Sequence, residues 1–236
     1  MNKIKQIYYI LLKEYGAQGW WPIVNNKTLL CEYHVNAPRN ESEALEICFG
    51  AILTQNTNWK NVEKALANLN KNNIIDAKKI IAISKKKLAE IIKSSGYNNQ
   101  KAKKLKNFCQ FLLNNYNGKL NLLFKNNTYI LRKELLSING IGPETADSII
   151  LYSAKKSIFV IDAYTKRILN RIGYKQNKYE QLQKLFMESL PDNEKLFNEY
   201  HALLVQLGKN ICKKIPLCSK CPLNRNCEYY KNINTT

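Results

Sequence analysis

The sequence predicts an all-α protein of 236 residues, made of two helical lobes. Apolar residues recur three and four positions apart, so that each set lines one face of a helix. One such set is Trp59, Val62, Leu66 and Leu69, and another is Leu105, Phe108, Cys109 and Leu112. The sequence contains no convincing run of alternating apolar and polar residues, which a half-buried strand would need.

Local signals predict where several of these helices begin and end. Asn40 followed by Glu43 resembles a capping box, and Ser84 precedes the apolar positions of a further helix. The helices are separated by asparagine-rich or glycine-containing segments, at 70–73, 96–99 and 114–118.

The composition indicates a polyanionic partner. Lysine and arginine number 37 against 18 aspartate and glutamate residues, a formal net charge of +19. Such an excess favours binding to phosphates, because each neutralised phosphate releases condensed counterions. A sequence generally rich in lysine and asparagine would give the same count, so composition alone leaves both readings open.

The first residues do not predict a signal peptide or a membrane anchor. The apolar run at 7–12 is interrupted by Lys13 and Glu14, and no other run is long enough to span a bilayer. We therefore expect a cytoplasmic protein, associated with the nucleoid, whose seven cysteines are thiols or metal ligands rather than disulfides.

Two closely spaced glycines mark a tight turn between helices. The segment Gly140-Ile-Gly142-Pro143 places a proline at the first position of a helix, where it is well tolerated. Glycine lets the backbone approach an anion closely, and the exposed N–H groups at a helix start favour negative charge. The turn is either a phosphate-binding hairpin or a simple connection between two helices.

Four cysteines are clustered near the C-terminus, namely Cys212, Cys218, Cys221 and Cys227. Four thiolates in such a cluster predict a soft metal centre, either a 4Fe-4S cluster or, as the less favoured alternative, a tetrahedral zinc ion. Lys213, Lys214, Lys220 and Arg225 lie between or beside these cysteines and could face phosphates. The other three cysteines, Cys31, Cys48 and Cys109, stand in apolar contexts typical of a core.

A single carboxylate closes an apolar stretch just before a helix. Asp162 follows Phe159-Val-Ile161 and comes eighteen residues after Glu144. A fixed carboxylate can stabilise developing positive charge or activate water. The same residue type is also a favoured helix N-cap, and the two roles are compatible.

Taken together and in this order, these segments resemble the helix-hairpin-helix (HhH-GPD) DNA glycosylase superfamily, of the endonuclease III type. The resemblance covers residues 40–227 and rests on the hairpin Gly140-Ile-Gly142-Pro-Glu-Thr145-Ala146, on Asp162 and on the four cysteines. It implies double-stranded DNA as the partner, with Gly140, Gly142 and Thr145 in the DNA-binding hairpin. It also implies that Asp162 is catalytic and that the cysteines bind a 4Fe-4S cluster, although their first gap is one residue shorter than usual.

Two weaker segments add further DNA contacts by the same resemblance. Leu53-Thr-Gln55-Asn-Thr57 is similar to the family segment whose glutamine enters the space left by an everted base. The loop beginning Gly96-Tyr97 is similar to the one that carries an intercalating wedge, and Tyr97 would be that wedge.

Glu144 stands where bifunctional members of the family place a nucleophilic lysine. A carboxylate cannot form an imine with the sugar, so the resemblance implies a monofunctional enzyme that uses water as the nucleophile. We therefore include Glu144 among the catalytic candidates. An acidic residue in the first turn of a helix also complements the helix dipole.

The pair Trp20-Trp21, together with Phe49, resembles the aromatic residues of the bacterial 3-methyladenine glycosylases of this superfamily. Electron-rich rings suit a cationic alkylated purine through stacking and cation–π attraction. These residues are the candidate base pocket, although one tryptophan of such a pair could instead pack the N-terminal segment against the core.

The predicted organisation is a six-helix barrel module at 36–154, which ends in the hairpin. The second lobe combines residues 1–35 with 155–236 and includes the iron–sulfur loop at 212–227. The predicted function is that of a monomeric, monofunctional glycosylase for damaged bases, alkylated purines first. Three alternatives remain: a bifunctional glycosylase and abasic-site lyase, a mismatch glycosylase for thymine or adenine, and a non-catalytic DNA-binding module.

Overall fold

A computed structural model describes residues 2–34 and 36–234 of the chain. The lobe boundary was predicted between residues 35 and 36, and residue 35 lies outside the described ranges. Residues 1 and 236, the outer bounds of the predicted second lobe, also lie outside them. No helix within the described ranges combines the length and apolar character that a bilayer crossing requires.

The described residues form a mainly helical protein, as predicted. In chain order the elements are α1 (Lys3–Tyr15), β1 (Ile23–Val24), β2 (Cys31–Glu32), α2 (Glu41–Leu53), α3 (Trp59–Lys71), α4 (Ala77–Ala82), α5 (Lys85–Ile91), α6 (Asn98–Tyr116), α7 (Leu120–Leu123), α8 (Thr128–Ser137), α9 (Pro143–Ser148), α10 (Ala163–Ile172), α11 (Tyr179–Ser189), α12 (Glu194–Asn210) and α13 (Glu228–Asn234). A π-helical turn, Ile149–Ser153, continues α9.

The two strands form a small antiparallel ribbon that the sequence pattern did not predict. Ile23 pairs with Glu32 and Val24 pairs with Cys31. Strands of two residues are too short to show an alternating pattern, so they could not be predicted from the sequence.

The chain divides into two compact units. The central unit is Trp21–Lys156, and the terminal unit combines Met1–Trp20 with Ser157–Thr236. The central unit therefore begins earlier than residue 36, because it includes the β1–β2 ribbon and Trp21, whose ring packs on Gly50 of α2.

Helix α2 forms the centre of the central unit, and every residue from Ala44 to Leu53 is buried. Its start is capped as predicted, since Asn40 Oδ1 accepts a hydrogen bond from the Glu43 amide at 3.0 Å. The Glu43 carboxylate reaches back to the amide of Arg39, one residue before the cap, at 2.7 Å. Ser84 caps α5 in the same manner, by accepting from the amide of Lys87.

An aromatic cluster forms the core of the terminal unit. The rings of Phe159 and Phe186 stack with centroids 3.9 Å apart, and Phe197 and Tyr200 meet Phe159 edge-on. Phe159 belongs to an extended buried segment, Ile158 to Ile161, that leads directly into α10. This packing fixes the position of Asp162, the next residue in the chain.

Candidate active site

The predicted hairpin is present between α8 and α9. Gly140 has φ +99°, and a Cβ at this position would lie 2.5 Å from Cγ of Lys104. Gly142 is the N-cap of α9, with Pro143 as the first helical residue, and a Cβ there would meet nothing within 4 Å. The first glycine is thus required by the fold, whereas the second leaves open space beside the amide groups of the turn.

A buried ion pair braces the two helices of the hairpin. Arg132 of α8 donates to both carboxylate oxygens of Asp147 in α9, at 2.7 and 3.2 Å. The Asp147 side chain is fully buried, so loss of the arginine would leave a buried carboxylate without this partner. This ion pair holds α8 against α9 and so fixes the geometry of the turn between them.

Gln55 is bonded to the hairpin. Its Nε2 donates to the Gly140 carbonyl at 3.1 Å and to the Thr145 hydroxyl at 2.9 Å, and its Oε1 accepts from Lys104 Nζ. Thr145 is buried, so its hydroxyl binds Gln55 inside the central unit. The role of Gln55 in filling a DNA gap stays a prediction, and it would require these hydrogen bonds to be exchanged.

Tyr97 lies at the start of α6 and projects into solvent. It is 66% exposed and has φ +46°, a left-handed conformation that is rare for a residue with a side chain. Nearby, the buried Lys101 donates from Nζ to the carbonyls of Leu53 and Ser95, at 2.8 and 2.6 Å. Burial, aided by the charge of Lys104, lowers the pKa of Lys101 to about 8. Lys101 therefore links the loop of Gln55 to the loop that presents Tyr97.

The three aromatic pocket candidates differ in burial. Trp21 is 5% exposed and packs against the rings of Trp59 and Tyr152, with centroids 5.2 and 5.1 Å apart. Phe49 is fully buried in α2, whereas Trp20 is half-buried. Trp21 and Phe49 therefore contribute to the core of the central unit, and Trp20 is the least buried of the three candidates.

Asp162 is the N-cap of α10, which was one of its two predicted roles. Its Oδ1 accepts a hydrogen bond from the Thr165 amide at 2.7 Å, and the residue is only 8% exposed. His201 of α12 lies beside the same carboxylate, with Nε2 at 3.8 Å from Oδ2. Glu144, the other catalytic candidate, is an exposed residue in the first turn of α9.

The four clustered cysteines line one cavity in the terminal unit, together with Arg171, Tyr229 and Tyr230. No three cysteine, histidine or carboxylate groups within residues 2–34 and 36–234 are grouped closely enough to hold a single metal ion. Burial raises the pKa of Cys221 to about 11. Four thiols around a common cavity fit the donor chemistry of an iron–sulfur cluster.

Helix α10 holds the cysteine loop through two arginines. Arg167 donates to the carbonyls of Cys212 and Gly208, both at 2.8 Å. Arg171 donates to the Cys212 sulfur at 3.2 Å, and the Cys227 thiol donates to the Arg171 carbonyl at 3.2 Å. The loop is thereby bonded near both its first and its last cysteine.

A family model for the HhH-GPD superfamily base excision DNA repair proteins matches residues 49–192 of the chain. The chain belongs to this superfamily. The match covers the hairpin and Asp162, and it identifies the protein as a base excision repair DNA glycosylase.

Similar proteins agree with this assignment. A protein of Methanocaldococcus jannaschii that is provisionally named a DNA repair glycosylase is 42% identical over 95% of each chain. Endonuclease III of Thermotoga maritima is 30% identical over 82% of this chain and 88% of its own. The structure of the H. pylori 3-methyladenine DNA glycosylase bound to 1,N6-ethenoadenine is 28% identical, with a TM-score of 0.69 over 89% of this chain and 98% of that one.

Several residues around the candidate site of this HhH-GPD protein were missed by the sequence reasoning. Lys104, the Arg132–Asp147 pair and His201 all act through partners that are 15 to 49 positions away in the chain. None of them stands in a motif with a fixed spacing. The one available signal was the rarity of histidine, since the sequence contains two.

Proposed function

We propose that the protein is a monofunctional DNA N-glycosylase, which hydrolyses the N-glycosidic bond of damaged bases in double-stranded DNA, alkylated purines first. The observation that carries this proposal is Glu144, an exposed carboxylate in the first turn of α9, where a lyase would need an amine. Because a carboxylate cannot form a Schiff base with the sugar, water is the nucleophile and the product is an intact abasic site.

Asp162 is the proposed catalytic carboxylate. Breaking the N-glycosidic bond develops positive charge on the deoxyribose, which a fixed carboxylate stabilises. The hydrogen bond from the Thr165 amide to Oδ1 fixes the orientation of the group and leaves Oδ2 as the oxygen that can face the sugar or an attacking water. Burial of the residue supports this role, since electrostatic interactions are stronger in a site that excludes water.

The hairpin and Tyr97 supply the proposed contacts with DNA. The amides at Gly142 stand beside open space and suit a phosphate oxygen. Tyr97, the exposed aromatic residue before α6, suits insertion into the base stack, which compensates for the everted nucleotide.

Alkylated purines are the proposed substrates for two reasons. The similar H. pylori enzyme is a 3-methyladenine glycosylase, and its structure holds an alkylated adenine. In this chain, Trp20 is the least buried of the three aromatic candidates, and an indole ring attracts a cationic base. A positively charged base is already a good leaving group, so recognition of shape and charge can suffice.

The proposed cofactor is a 4Fe-4S cluster held by Cys212, Cys218, Cys221 and Cys227. The lining of one cavity by all four cysteines supports it, as does the N–H donor that Arg171 directs at the Cys212 sulfur. When bound, the cluster supplies a covalent link between the two ends of the loop. Iron, sulfide and zinc analysis of the purified protein distinguishes it from a zinc site.

The test is a panel of duplex oligonucleotides that carry methylated purines, oxidised pyrimidines or mispairs, scored separately for free base and for strand scission. We expect release of methylated purines without scission. Asp162→Asn, which retains a good N-cap side chain, should reduce base release by at least about 100-fold while duplex affinity remains. Loss of affinity together with unchanged base release would contradict the proposed role of Asp162.

A second candidate is a bifunctional enzyme of the endonuclease III type, which the 30% identity to the T. maritima enzyme favours. It would use another lysine as the nucleophile. Borohydride reduction on damaged DNA separates the two candidates, since only an imine between enzyme and sugar is trapped as a covalent adduct.

A further inference from the structure

His201 is placed to act on one oxygen of the Asp162 carboxylate. Both residues are 8% exposed, and the separation of 3.8 Å is between His201 Nε2 and Asp162 Oδ2. The other oxygen, Oδ1, is already bonded to the Thr165 amide. The two oxygens of the carboxylate therefore have different neighbours, and the one left for chemistry lies next to an imidazole.

Helices α10 and α1 pack against α12, which carries His201. The titratable groups of these three elements include the N-cap Asp162 with Tyr164 and Arg167 of α10, Tyr8 and Tyr15 of α1, and Glu199 and Tyr200 of α12. Arg167 is directed at the carbonyls of Cys212 and Gly208, and Glu199 accepts from the Gln18 amide. Tyr200 donates to the Ile4 carbonyl.

Burial lowers the pKa of His201 below its ordinary value, and the charge of Asp162 opposes that shift. Since the ordinary value is already below 7, the imidazole is neutral at neutral pH. A neutral ring leaves the negative charge of Asp162 intact. As the pH falls, a second ring proton taken from solvent converts His201 into a cation beside Oδ2.

We propose that His201 is a positioning residue for Asp162, whose ring lies beside Oδ2 and neutralises the charge of that oxygen when protonated, so that base release stops at acid pH. This inference rests on the proposed catalytic role of Asp162. The physical reason is that an imidazolium 3.8 Å from the carboxylate competes with the developing charge of the deoxyribose for the same negative charge.

The first test measures the electrostatic coupling between His201 and Asp162 and needs no activity assay. The chain has two histidines, His34 and His201, so NMR titration of their ring signals is readily assigned with a His34→Gln variant. Asp162→Asn removes the carboxylate charge and should lower the pKa of His201 by about one unit or more. An unchanged pKa would overturn the proposal, even if the activity were lost.

The second test measures the single-turnover rate of base release against pH. We expect His201→Gln to move the acid limb of the profile to lower pH. A merely structural role would instead lower the rate by the same factor at every pH and leave the limb in place, which would contradict the proposal. His34→Gln, a change of the same kind at an exposed residue, should reproduce the native profile.

Failure of the role proposed for Asp162 can be distinguished from failure of the role proposed for His201. If Asp162→Asn released bases as fast as the native protein, the proposed function of Asp162 would fall, while the NMR titration would still report whether the two side chains are coupled. If Asp162→Asn were inactive and His201 titrated identically in both proteins, only the role of His201 would be wrong.

Discussion

Gln55 donates a hydrogen bond from Nε2 to the Thr145 hydroxyl at 2.9 Å, across 90 positions of the chain. The bond joins the segment after α2 to the first helix turn after the hairpin glycines. Both residues were singled out from the sequence as separate contacts with DNA. In the structure they form one unit with Lys104 and the Gly140 carbonyl.

Thr145→Val should destabilise the protein by about 1 kcal/mol, because the isosteric side chain removes the acceptor for Gln55 Nε2. Denaturant unfolding measures the change. Thr54→Val is the matched control, since the Thr54 hydroxyl donates only to the Gly50 carbonyl of its own helix and its loss should cost little. Equal effects of the two changes would show that the Gln55 bond adds no stability.

Gly142→Ala should leave the fold intact and weaken duplex binding about tenfold, through loss of one charge-assisted backbone contact to phosphate. A Cβ at this position meets no protein atom within 4 Å, so it would occupy the space left for the phosphate. Gly140→Ala should instead destabilise the protein, because φ is +99° and the Cβ would clash with Lys104. Affinity and melting temperature, measured on both variants, separate the two effects.

Glu144→Lys should give a covalent adduct with damaged DNA on borohydride reduction, provided that the new amine reaches the sugar. The native protein and Glu144→Gln should give none. An adduct with the native protein would mean that another lysine serves as nucleophile and would favour the bifunctional candidate.

Arg171→Met should weaken binding of the proposed 4Fe-4S cluster about tenfold, because it removes the N–H donor to the Cys212 sulfur and the bonds to the carbonyls of Lys213 and Lys214. The measurement is the release of iron and sulfide to a chelator over time. Arg225→Met makes the same change at an exposed residue of the loop and should release the cofactor at the native rate.

The parts of the fold that were predicted correctly depend on short-range signals. The caps at Asn40 and Ser84 and the proline after Gly142 are all local, and each is present in the structure. The β1–β2 ribbon was not predicted, because its two-residue strands are too short for a pattern.

The parts of the candidate site that were not predicted depend on tertiary packing. Trp21 packs on Gly50, where a Cβ would lie 2.8 Å from the ring. Core packing was one of the two roles predicted for a tryptophan of this pair, but the sequence does not reveal which tryptophan packs or that Gly50 is its partner. His201 reaches Asp162 because α12 packs against α10, which the helical pattern of neither segment can predict. Sequence motifs identify the candidate site residues, whereas tertiary packing determines which other side chains contact them.

Helix α10 begins after its N-cap Asp162, and its later turns carry Arg167 and Arg171, which donate hydrogen bonds to Cys212 of the cysteine loop. The ten residues of α10 thus join the proposed catalytic carboxylate to the proposed cluster loop. With these two proposed roles, a chain made in a cell short of iron would hold Asp162 less firmly, and its capacity to repair DNA would decline with the supply of the metal.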